Sequence, residues 1–176
     1  MHVSRPLAGA AWATLAASCF AVFGITVEAA VAALGCAVLV AVTVTDLERR
    51  IVPNRIVVPA LAGALAVQTL RDPGLEPALA ALGAGGFFLL AALVYPAGMG
   101  MGDVKLAAFL GAWLGVDVVV ALFAASVLSL VPAIAILVRA GAAGRKVGIP
   151  FAPFLAAGAV VALFLGEPLL DWWLRP

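Results

Sequence analysis

Two acids in this chain stand at the ends of apolar runs. Asp46 directly follows one run, and Asp103 follows Gly98-Met99-Gly100-Met101-Gly102 and opens another. Two carboxylates held close together cannot both ionise without a large cost, so one keeps a proton near neutral pH. The ionised member can then polarise a water molecule while the protonated member donates to a peptide carbonyl. That is the chemistry of aspartic peptide hydrolysis, and it needs neither a metal nor a nucleophilic side chain. Other chemistries lack their parts: His2 is the only histidine and lies at the terminus, which leaves no Ser/His arrangement and no His-based metal site. Gly100 and Gly102 permit close backbone approach, the access that a substrate strand laid beside Asp103 needs. Each acid also has a plain structural reading. Asp103 would cap a helix N-terminus, and Asp46 would pair with Arg49 or Arg50. Spacing alone leaves both readings open.

The elements that must position these acids follow from composition. Of the 176 residues, 66% are hydrophobic and 11% charged, against about 45–50% and about 25% in soluble domains. So few charges cannot cover the surface of a small soluble protein, and the mean hydropathy of +1.23 agrees. The expected fold is all-α, a polytopic integral membrane helical bundle forming a single domain over residues 1–176. A net charge of +1 shows no basic excess that would mark nucleic-acid binding. Cys19 and Cys36 both sit in apolar runs and offer neither a disulfide framework nor a CxxC zinc site. The first apolar run lacks a small-residue cleavage site before a polar region, so it reads as a retained helix rather than a signal peptide.

Charges divide the chain into apolar stretches at 6–27, 29–45, 56–70, 77–102, 106–116, 118–138 and 147–166. A bilayer core of about 30 Å needs about 20 helical residues. The third stretch reaches that length if its helix begins near Pro53, which suits a first-turn position, with Arg55 snorkelling to the interface. The fifth is short, and the positive-inside rule tests whether it crosses. With Arg5 cytoplasmic and all seven crossing, Arg5, Arg49, Arg50, Arg55, Lys105, Arg139, Arg145 and Lys146 fall inside, and Arg71 and Arg175 outside. Removing the fifth crossing weakens that asymmetry, so about seven spans are expected, six if the fifth does not cross. Both Asp46 and Asp103 then face the cytoplasm. Glu28, Asp72, Glu76, Asp117, Glu167 and Asp171 fall in outer turns or ends, where water solvates them.

The wording around the acids adds to the topology. Thr45-Asp46-Leu47-Glu48-Arg49-Arg50-Ile51-Val52-Pro53-Asn54 resembles the first signature of the prepilin peptidase (type IV leader peptidase) family, and Gly100-Met101-Gly102-Asp103-Val104-Lys105-Leu106 resembles its Gly-x-Gly-Asp-x-Lys segment. Ile149-Pro150-Phe151-Ala152-Pro153-Phe154 resembles the opening of that family's last helix, with Ala152 where glycine is usual. The resemblance implies a membrane aspartic endopeptidase of the inner (cytoplasmic) membrane. It would remove the basic leader of type IV or Flp-type prepilins or pseudopilins on the cytoplasmic face, cleaving after a glycine, between that short leader and a hydrophobic helix. It carries Asp46 and Asp103 over as the catalytic pair, with Gly100, Gly102, Lys105 and Asn54 in support. Lys105 would hold the charge of the pair or of a substrate carboxylate, or serve as an ordinary positive-inside lysine. Asn54 would cap a helix or join the site's hydrogen bonds. Arg49, Arg50 and Arg55 read as orientation residues and headgroup contacts, and Met99 and Met101 as packing. No cofactor, metal or nucleic acid is implied; the expected partners are the prepilin substrates and the lipid bilayer.

Longer members of that family carry a cytoplasmic segment with paired CxxC motifs and also methylate the new N-terminus. No such insert stands in this sequence and the chain starts almost at its first helix, so the resemblance is to the short, peptidase-only form, with methyltransferase activity not expected. Two other readings compete. A small transporter or pilus-assembly partner would use the same acids for ion pairing or proton relay, but would place them near the bilayer midplane among broken helices. An intramembrane protease would share Gly-x-Gly-Asp but not the stretches at 46–54 and 149–154.

Overall fold

The computed structural model describes residues 5–96, 99–141 and 148–174. Within them the chain is helical, with no strand: α1 (Arg5–Phe23), α2 (Val27–Arg49), α3 (Asn54–Arg71), α4 (Glu76–Val94), α5 (Met101–Leu114), α6 (Val118–Ala140) and α7 (Ala152–Leu174). Consecutive helices run in alternating directions, so Asp46, Asn54, Asp103 and Ala152 all come to one end of the bundle. At the opposite end the Arg71 guanidinium lies 3.9 Å from Glu28, and the Gln68 side-chain amide donates to the Trp113 carbonyl at 2.9 Å. Residues 145, 146 and 175, whose charges enter the orientation argument, lie outside the described residues.

Local chemistry sets the ends of these helices. Thr26 caps α2, its hydroxyl accepting from the Ala29 N–H at 3.1 Å, after a turn in which Gly24 takes a φ of +69°. Pro53 stands just ahead of α3 as its N-cap, one position before the first turn expected of it. Arg50 ends α2 in the left-handed region, φ 53° and ψ 42°, with its N–H on the Asp46 carbonyl, a conformation that non-glycine residues seldom hold.

Seven helices are present among the described residues, but the expected count of about seven spans needs correcting. Five segments are long and apolar enough to cross a bilayer by themselves: α1, α2, α4, the stretch Met101–Arg139 and Ala152–Trp173. Helix α3 falls short because Asn54, Arg55, Gln68 and Arg71 make both its ends polar. Helix α5 has 14 residues, about 21 Å at 1.5 Å per residue. It shares one apolar stretch with α6, broken by a 3-10 turn at Gly115–Asp117 where Gly115 adopts a φ of +60°.

Helix α5 tolerates its shortness because protein surrounds it. Val104, Leu106, Ala107, Phe109, Leu110, Ala112 and Trp113 are all buried, which places apolar burial on every face. Its closest partner is α4, followed by α3, with α7 also in contact. Small residues allow this. A Cβ placed on Gly85 of α4 would lie 2.9 Å from that of Ala108, and one placed on Gly111 of α5 would collide with the Ala80 carbonyl. Lipid offers no hydrophobic drive for helices to associate, so close approach through small residues supplies the attraction.

Gly111→Ala should therefore loosen the α4–α5 contact, with a loss of about 1–3 kcal/mol as for an overpacked core. Thermal unfolding in detergent checks it, with Gly83→Ala as the control, since a Cβ on Gly83 meets nothing within 4 Å. An equal midpoint for the two variants would contradict this account of the packing.

Candidate active site

Asp46 lies in the last turns of α2 and is buried, with 6% of its surface exposed. Its Oδ2 accepts a hydrogen bond from the backbone N–H of Ala152 at 3.2 Å, and Ala152 is the first residue of α7. The bond completes an accounting of donors. The first N–H groups of a helix have no partner inside it. In α7, Pro153 has no N–H to satisfy, and the Phe154 N–H folds back onto the Phe151 carbonyl at 3.0 Å. Ala152 is the remaining donor, and the Asp46 carboxylate takes it. The segment before the helix is held in turn by Phe151, whose ring lies 6.0 Å from that of buried Phe88 on α4.

Asp103 lies in the first turn of α5, half-buried, with its N–H on the Gly100 carbonyl at 3.0 Å. The two carboxylates come from different helices and lie within electrostatic reach of one another. Asp46 is also within reach of the Arg50 guanidinium, one of whose nitrogens would stand 3.8 Å from a Cβ on Gly148. Arg50 thus faces the loop ahead of α7 as well as carrying a positive charge at the membrane face. Its left-handed backbone turns it that way, and nothing in the local sequence announces that turn.

The supporting residues are arranged differently from one another. The Lys105 Nζ donates to the Asn54 Oδ1 at 2.8 Å, tying the start of α3 to the first turn of α5. That is where Lys105 makes its hydrogen bond among the described residues, and Asn54 does not cap α3 with its side chain. Gly100 has an ordinary extended backbone, φ −80° and ψ 145°, and a Cβ there would lie 3.5 Å from the Asp103 Oδ2. Gly102 is packed: a Cβ on it would stand 2.6 Å from the Cβ of Val52, a residue that the sequence reading passed over. Met99 packs against the core, whereas Met101 at the start of α5 is 55% exposed and does not pack as expected. Gly98 lies outside the described residues.

No group of three or more His, Cys, Asp or Glu side chains suited to a metal occurs among the described residues. What the geometry can do chemically rests on the two carboxylates. Asp46 has one oxygen engaged by the Ala152 N–H, while the Asp103 Oδ2 lies beside Gly100.

This chain belongs to the type IV leader peptidase family, whose model matches residues 33–136, a stretch that holds both aspartates. The prepilin leader peptidase/N-methyltransferase of Bacillus subtilis (strain 168) is 36% identical over 160 residues, covering 87% of this chain and 62% of that protein. The protein of the same name from Burkholderia pseudomallei (strain 1026b) is 36% identical over 174 residues, 93% of this chain and 55% of its own. That of Aeromonas salmonicida (strain A449) is 34% identical over 147 residues, 78% and 50% respectively. The chain thus spans between half and two thirds of the length of these curated relatives. No solved structure matches it.

If Gly102 is required by Val52, then Gly102→Ala should lower the thermal midpoint and adding Val52→Ala should restore it, by the coupling expected of touching residues, about 0.5 kcal/mol or more. Additive losses in the double variant would assign Gly102 a role other than this contact.

Proposed function

We propose that this protein is a membrane aspartic endopeptidase that removes the basic leader of type IV or Flp-type prepilins or pseudopilins, cleaving after a glycine through Asp46 and Asp103. The observation that carries the reading is the meeting of these two acids, from α2 and α5, at one end of a lipid-embedded bundle. Membership of the leader peptidase family supports it, as does the third motif, whose helix start is bonded to Asp46 itself. Acids beside a bilayer are costly, and a pair of them brought within reach of each other asks for a use. Of the two activities in the relatives' name, the paired carboxylates suit the peptidase.

The reaction follows from the pair. The ionised carboxylate takes a proton from water as its oxygen attacks the scissile carbonyl, and the protonated carboxyl donates to the carbonyl oxygen. Collapse of the tetrahedral intermediate breaks the C–N bond. The pair gives a proton to the leaving amine and takes one back from a hydroxyl of the intermediate, the new carboxyl group remains on the leader, and the two acids again share one proton. The pair titrates jointly, so the proton belongs to both. The Ala152 N–H holds one oxygen of Asp46 and leaves the other for water, while the glycine at 100 leaves room for a substrate strand beside Asp103.

The site faces the cytoplasm in this reading, and the membrane is the inner one. The distribution of Lys and Arg supports that orientation. A reporter fused in the loop between Arg139 and Gly148 should therefore read cytoplasmic; an external signal would remove the fifth crossing.

Co-expression with an epitope-tagged prepilin tests the chemistry. Asp46→Asn and Asp103→Asn should each reduce leader removal by at least about a thousandfold, as for members of a catalytic unit, with normal amounts of folded protein in the membrane. Near-normal processing by either variant would remove that residue from the mechanism.

A further inference from the structure

A membrane-bound substrate must lodge the rest of its chain against the protein while its bond is cut. An apolar groove of about 390 Å³ runs between α1, α2 and α7. It extends from Leu7, Leu47 and Pro153 at one end to Leu15, Leu39 and Val160 at the other. The first end is the level of the aspartates: Leu47 follows Asp46 in α2, and Pro153 follows the residue that bonds it. The far end lies two helical turns deeper, about 12 Å at 1.5 Å per residue. Beyond it the rings of Phe23 on α1 and Phe164 on α7 stack at 6.1 Å.

Other apolar grooves do not share this placement. One between α4 and α6 is lined by Glu76, Val116 and Val118, and one between α6 and α7 by Val119, Leu169 and Trp173; both lie at the end of the bundle remote from Asp46. A third, against Trp113 and Val31, lies deeper in the bundle, between α2, α3 and α5.

We infer that the α1–α2–α7 groove seats the apolar transmembrane helix of the substrate, with that helix's N-terminal end delivered to Asp46. This rests on the peptidase reading above and names the part of the site that reading lacks. Two features of the walls fit a helix. Ala8 and Ala11 on α1 and Ala156 and Ala157 on α7 line the groove, and side chains this small let a helix backbone approach closely. The carboxylate of Asp46, beside Leu47 and Pro153 at one end, gives the groove a direction. The bond that reaches Asp46 is then the one just ahead of an apolar helix, at the membrane face, and a soluble peptide without such a helix would lose this anchorage.

Thiol crosslinking in membranes tests the assignment. The inactive Asp103→Asn protein, which keeps the precursor intact, would carry Ala11→Cys or Ala157→Cys in the groove, or Val131→Cys on the 70% exposed face of α6 as a control. The partner would be a type IV prepilin with one cysteine in its apolar helix. Cys19 and Cys36 are wholly buried, and the parent chain measures their background. Crosslinked product is expected at 11 and 157 and none above background at 131. Equal product at all three positions, or product at 131 alone, would overturn the inference and leave the groove to lipid chains. A second measurement does not depend on crosslinking. In the otherwise wild-type enzyme, Ala157→Phe should raise KM for the prepilin about tenfold or more, the signature of lost ground-state binding, and an unaltered KM counts against the groove. Wild-type cleavage of the same prepilin is recorded in parallel. Cleavage without groove crosslinks defeats the groove alone, whereas absence of cleavage defeats the peptidase reading beneath it.

Discussion

The bond from the Ala152 N–H to the Asp46 carboxylate joins the end of one helix to the start of another, and the site is organised around it. A helix start buried in a bilayer protein has no water to satisfy its donors, and each one left unpaired is costly. Helix α7 begins with a proline that has no N–H, a phenylalanine whose N–H folds back on the preceding turn, and one donor that Asp46 takes. A carboxylate also suits the positive end of the helix dipole. The same contact that completes α7 therefore fixes the depth and direction of Asp46, because a bonded carboxylate has little freedom to rotate.

Asp103 depends on a different device. It opens the most enclosed helix of the bundle, and that enclosure comes from small residues. Gly85 and Gly111 bring α4 and α5 together, and Gly35 of α2 lies against the Trp113 indole. A helix wrapped by protein need not match the bilayer's thickness or hide its polar start from lipid, which explains how a 14-residue helix serves here. The hydrogen bond between Lys105 and Asn54 then ties its first turn to α3. The two aspartates are thus held by independent means, one by a helix cap and one by helix packing, and come within electrostatic reach because α2 ends and α5 begins at the same end of the bundle.

The pair Cys19 and Cys36 shows what close packing does elsewhere. Their sulfurs lie 3.9 Å apart, both buried, on neighbouring helices. They occupy the α1–α2 interface as small apolar side chains with a weak hydrogen bond between them. Nearby, the Trp12 indole N–H finds the Ala33 carbonyl at 3.1 Å, so the one polar atom of a large side chain is also satisfied.

Much was legible in the amino-acid sequence alone, because a bilayer makes charge expensive and hydrogen bonding compulsory. Apolar runs had to be helices, the Lys and Arg between them pointed to a side, and Asp46 and Asp103 stood out as acids at the ends of apolar runs. Those are properties of residue types and their order. Tertiary structure decided the rest. It determined that Asp46 would bond a residue 106 positions away, that Lys105 would find Asn54, that Gly102 would admit Val52, and that Arg50 would turn back toward the site. It also decided that α5 could be short. These are contacts between segments distant in sequence, set by how helices of particular widths pack, and no local pattern encodes them.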